Sequence, residues 1–93
     1  MNDALAAAIR LYKQALAAGP RELVPLKWAG TQNNLGAALQ ALGEHESDIA
    51  RLEQAVKAFQ AAVLEFTRER APFEWASTQN NLGNALRVRA RRA

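Results

Sequence analysis

The strongest constraint on this 93-residue chain is that it repeats itself. The phrase Trp28-Ala-Gly-Thr-Gln-Asn-Asn-Leu-Gly36 returns as Trp75-Ala-Ser-Thr-Gln-Asn-Asn-Leu-Gly83, offset by 47 residues. The same offset pairs Arg21 with Arg68, Pro25 with Pro72 and Leu39 with Leu86, and upstream it pairs Leu5 with Leu52, Ala8 with Ala55, Ile9 with Val56 and Tyr12 with Phe59. A period of roughly 20 to 50 residues marks an array in which a unit cannot bury its own apolar face and stacks on a neighbour.

The unit is helical, because apolar residues recur at three- and four-residue steps and strand-like alternation is missing. Four helices are expected, over residues 3–18, 25–42, 48–67 and 72–90, giving an all-α fold that forms a single domain over residues 1–93. Gly19-Pro20 stops the first helix, and Gly43 is expected to stop the second. Pro25 and Pro72 are suited to a first helical position, and Ser47 or Asp48 can cap the third helix. The third helix gathers Leu52, Ala55, Val56, Phe59, Ala62 and Phe66 on one face. Short connections make successive helices antiparallel, so the product is a row of αα-hairpins.

Composition narrows the chemistry. The chain has no Cys, which excludes disulfides, thiolate metal sites and thiol catalysis. Its longest apolar stretch, Ala4 to Ile9, is far short of the roughly 18 residues of a membrane helix, and a soluble cytoplasmic protein is expected. The net charge of +3 comes from the end: without Arg87, Arg89, Arg91 and Arg92, eight basic residues face nine acidic ones. No stripe of Lys and Arg interleaved with aromatics runs along the chain, so nucleic acid is not the expected partner. His45, the only His, lies between Glu44 and Glu46 in an expected loop, and adjacent loop residues rarely supply a metal's inner sphere. There is no Gly-rich phosphate loop and no Ser/His/Asp set, so neither catalysis, metal nor cofactor is expected.

Gly36 and Gly83 refine the type of helical repeat. A helical Gly costs about 1 kcal/mol relative to Ala, so its return at one place in each unit predicts that two helix backbones approach closely there. Leu35-Gly36-x-x-Leu39 followed by Ala55-x-x-x-Phe59 resembles the signature of the tetratricopeptide repeat (TPR), and Leu82-Gly83-x-x-Leu86 with Ala8-x-x-x-Tyr12 matches its two halves again. The usual period of that family is about 34 residues, shorter than the one here, and its Trp falls at Gln32 or Gln79, with Trp28 or Trp75 one turn earlier on the same face. The long period and the Asn-Asn-Leu phrase look like the kinesin light chain style of TPR and its bacterial relatives.

The resemblance implies a non-catalytic protein–protein interaction scaffold in which the second and fourth helices line a concave groove. Asn33, Asn34, Asn80, Asn81 and Asn84 then form an amide row, flanked by Lys27, Gln40 and Arg87. An amide both donates and accepts, so the row can pair with the backbone of an extended peptide. The family places peptide-contacting Asn at positions matching Asn34, Asn81 and Asn84. Its carboxylate-clamp bases are absent, because Asn33, Asn80, Gly30 and Ser77 stand in their places. The bland alternative is that these amides only solvate a helix face or join adjacent hairpins. Trp28 and Trp75 fall on the apolar stripe and are expected to pack against a neighbouring helix.

The phase of the repeat supplies another expectation. One complete hairpin is flanked by two half-repeats, whose outer faces are expected to keep Leu5, Ile9 and Tyr12 at one end and Trp75, Leu82 and Leu86 at the other. A self-assembling homo-oligomer, joined head to tail through those helices, is the alternative to a peptide-binding scaffold. A fragment of a longer array is also compatible with this phase.

Overall fold

A computed structural model describes residues 3–92. It contains α1 (Asp3–Ala18), α2 (Pro25–Glu46), α3 (Ile49–Val63) and α4 (Pro72–Arg92), and no strand among the described residues. Helix α2 lies between α1 and α3, α3 packs on α4, and α2 and α4 touch along a narrow seam. The expected row of antiparallel hairpins is present, as a slab 34 × 26 × 16 Å.

The helix boundaries follow local chemistry. Beyond α1 the Gly19 amide still bonds the Ala15 carbonyl at 2.9 Å, and Pro20 prevents continuation. Helices α2 and α4 both start on Pro, at Pro25 and Pro72. The expected stop at Gly43 does not occur, and α2 runs one turn further, to Glu46. Ser47 ends it in the left-handed region, at φ 52°. The Asp48 amide then bonds Gly43 O at 2.9 Å and the Ser47 amide bonds Glu44 O, the paired closure that satisfies the last carbonyls of a helix. Asp48 in turn accepts from the Arg51 amide and caps α3. His45 therefore lies in the last turn of α2 and not in a loop.

Helix α3 stops at Val63, short of the expected 67, and a turn carries Phe66 back under α2. Helix α4 runs to Arg92, past the expected 90.

The core lies on both sides of α2. Leu35, Leu39 and Leu42 of α2 meet Ala55, Val56 and Phe59 of α3 and Ile9 of α1, and Leu5, Tyr12, Leu16 and Leu82 pack against its margin. Ile9 is thus a core residue, contrary to its expected place on an outer face. The exposed large apolar residue of α1 is Leu11. A second cluster joins Ala29, Ala62, Phe66 and Ala71, with Trp28 against it. Trp28 lies beneath the Arg21 guanidinium at 5.0 Å, and Arg68 repeats that stacking over Trp75 at 5.9 Å.

The two repeated glycines differ. A methyl built on Gly36 would come within 2.6 Å of the Phe59 ring, so α2 is notched to admit that ring. The close approach is to a side chain, not to the backbone of α3. A methyl on Gly83 would meet nothing within 4 Å, which corrects the expectation that both glycines mark a crossing. Gly43 is an unforeseen notch, where Leu52 would lie 2.9 Å from an added methyl.

Candidate functional site

The 47-residue offset gives α2 and α4 much of the same residue order, and the two helices touch only along a narrow seam. A depression of about 250 Å3 lies there, lined by Ala37, Gln40, Ala41 and Glu44 of α2, Asn81 and Asn84 of α4, and the edge of Phe59. Ala37 and Ala41 stand one helical turn apart, and their small side chains leave the floor accessible.

Three of the expected site residues meet here: Gln40, Asn81 and Asn84. Asn33 joins them through a hydrogen bond, since Asn81 Nδ2 donates to Asn33 Oδ1 at 3.1 Å across the seam. Gln40 Nε2 donates to Glu44 Oε1 at 3.3 Å, which orients both groups at one end of the depression. Asn84 makes no side-chain hydrogen bond among the described residues, so its amide retains donors and acceptor. Asn34, Asn80 and Arg87 are exposed and lie outside this lining, as does Lys27, which borders a separate depression near Gly19.

Sequence reasoning put Ala37 on the same side as Asn33 but missed Ala41 and Glu44 as lining. The signal was available in spacing: Ala37, Gln40, Ala41 and Glu44 follow a three- and four-residue rhythm from Asn33. For Glu44 it was masked by the expected end of α2 at Gly43. On the opposite side of the slab, Lys13 of α1 and Lys57 of α3 border a shallower surface over Leu35 and Leu39.

The electrostatics of the rest of the surface are local. Glu65 accepts from Arg21 and from Arg70, tying the loop after α1 to the loop after α3. The Arg21 hydrogen bond is the main reason its carboxyl is held below the usual carboxylate range. Burial acts in the opposite direction, and the Arg21 and Arg70 charges add to the lowering. Arg92 donates to Ser47 Oγ at 2.8 Å and toward Glu44 O, so the basic end of α4 supports the end of α2. Among the described residues, no group of three His, Asp or Glu side chains could hold a metal ion. No described helix is long and apolar enough to cross a membrane.

Comparison with known proteins agrees with this geometry over part of the chain. No curated protein and no solved structure matches the chain significantly. A family model does match, over residues 28–66, which begin at Trp28, take in the rest of α2 and all of α3, and end on Phe66. The matched family is that of the tetratricopeptide repeat, and the match falls on the central hairpin, whose Gly36 notch is filled by Phe59.

Proposed function

We propose that this chain is a non-catalytic scaffold that holds an extended peptide, or one face of a partner helix, in the trough between α2 and α4. The carrying observation is the convergence of Gln40, Asn81 and Asn84 on one depression with a floor of small residues. Asn33 and Asn81 brace each other, which fixes the orientation of the Asn81 amide and leaves its oxygen able to accept from a ligand backbone. Asn84 supplies the complementary donor and acceptor. Asn in mid-helix lowers helix propensity; the Asn33–Asn81 bond joins the two hairpins, and Asn84, which has no such bond, is the amide whose place is better explained by use than by folding.

Asn34, Asn80 and Arg87 extend the same face for a ligand longer than the depression itself. The 47-residue period supports a long-helix form of the repeat, similar to that of kinesin light chain, with all four helices acting as one cytoplasmic domain.

Peptides selected on the 93-residue chain from a displayed random library provide the test. The selected peptides bind at least about tenfold more weakly to the Asn81→Ala/Asn84→Ala double variant, with helicity unchanged. Peptides that bind this variant as well as the parent chain would contradict the reading.

A further inference from the structure

The interior of the row shows how its two end faces can be covered. Along the α2–α3 seam Phe59 fills the notch at Gly36, Leu52 lies against Gly43, and Phe66 lies over Gly30. Ala58 and Leu39 are closed off there, at 6% and 2% exposure. Moved by one period, the α2 side of this seam becomes Gly83, Leu86 and Ser77 on α4, and the α3 side becomes Leu5, Leu11 and Tyr12 on α1. Cover is missing at three of those positions, where Gly83 faces open space, Leu86 is 37% exposed and Leu11 is 62% exposed, while Leu5 and Tyr12 are half-buried against the core margin.

We propose that a second copy of this chain lays its α1 antiparallel on the outer face of α4, in the register of the α2–α3 seam, with Tyr12 seated at Gly83. Charge agrees with this direction. Asp3, in the first turn of α1, comes to the turn of α4 that carries Arg89 and Arg91.

The other end of the contact supplies an independent observation, an exchange of sizes between its two sides. Gly19, just past the end of α1, holds the place of Phe66, and the corner beside it is an apolar depression of about 380 Å3 bounded by Ala15, Val24, Trp28 and Thr31. The equivalent corner between α3 and α4 is closed, with Phe66, Ala71 and Thr78 all buried. On α4, Phe73 holds the place of Leu26, one turn before Ser77 on the same face. It is 88% exposed, the most exposed large apolar side chain among the described residues. The bulk removed from one side by Gly19 is restored on the other by Phe73. Phe73 of one copy thus fills the corner left open by Gly19 of the next.

The match is imperfect at one place, where Ala90 stands for Gly43 and Leu5 has to turn aside. The association is accordingly reversible and weaker than the internal seam. It is heterologous, with α1 of each copy meeting α4 of another, so it leads to a ring or an open row. It does not depend on the Asn-lined trough.

Sedimentation velocity of the 93-residue chain tests the proposal, with a mass that rises through the micromolar range. Gly83→Leu fills an open notch and replaces a poor helix former, so helicity is kept while association weakens roughly 30-fold. Leu11→Glu does the same from the α1 side. Each variant retains one working face, so an equimolar mixture of the two forms a 1:1 dimer that grows no further. A chain that stays monomeric at high micromolar concentration overturns the proposal. Association unaffected by either substitution, or a mixture that remains monomeric while the parent chain associates, also overturns it.

Discussion

Gly36 and Gly83 occupy the same place in two copies of one motif, and their surroundings decide what each contributes. At Gly36 the missing side chain makes room for Phe59, which is fully buried. Gly36→Ala is therefore expected to destabilise the chain by about 1–3 kcal/mol through overpacking. At Gly83 nothing faces the helix, so Gly83→Ala is expected to stabilise the monomer by about 0.5–1 kcal/mol through helix propensity alone. Urea denaturation at low protein concentration measures both, and changes of the same sign would contradict this assignment. The sequence alone marked both positions as special but could not separate them, because the residue that fills a notch lies on a different helix. The same blindness hid Gly43, whose partner Leu52 belongs to α3.

At the scale of elements, the helices were legible from periodicity and their ends were less so. Pro25, Pro72 and Gly19-Pro20 act through local covalent geometry, and those three boundaries fall where expected. Gly43 looked like a helix stop because glycine often ends helices. Packing overrode that preference, and Ser47 took the left-handed position at a cost in backbone energy. Ser47→Gly is expected to stabilise by about 0.5–1 kcal/mol, less whatever the exposed Arg92 contact contributes, with the gain read from denaturant midpoints.

The loops offer a second test. The carboxyl of Glu65 has its pKa lowered, chiefly by the Arg21 hydrogen bond, so its folded value lies below its unfolded one. Its contribution to stability is present above the ordinary carboxylate range and is lost as pH falls through the lowered pKa. Glu65→Gln should therefore destabilise the chain at neutral pH, with the gap to the parent closing on acidification. A gap independent of pH would show that the Arg21–Glu65–Arg70 tie is not what holds the two loops together.

For the whole molecule, one dimension of 16 Å means that every helix keeps a side toward solvent, and function depends on which of those sides carry chemistry. The amide row was visible in the sequence as Asn-Asn repeated at a fixed period. Its division was not: Asn81 and Asn84 line a depression while Asn34 and Asn80 stand outside it, because that depends on the angle at which α2 and α4 meet. The most direct test of the trough is the side-chain amide NMR spectrum of the labelled chain, titrated with a selected extended peptide. Shifts concentrated at the amides of Gln40, Asn81 and Asn84 are the predicted result. Shifts at Gln32 and Gln54, which border the opposite surface over Leu35 and Leu39, with those three unmoved, would contradict the account.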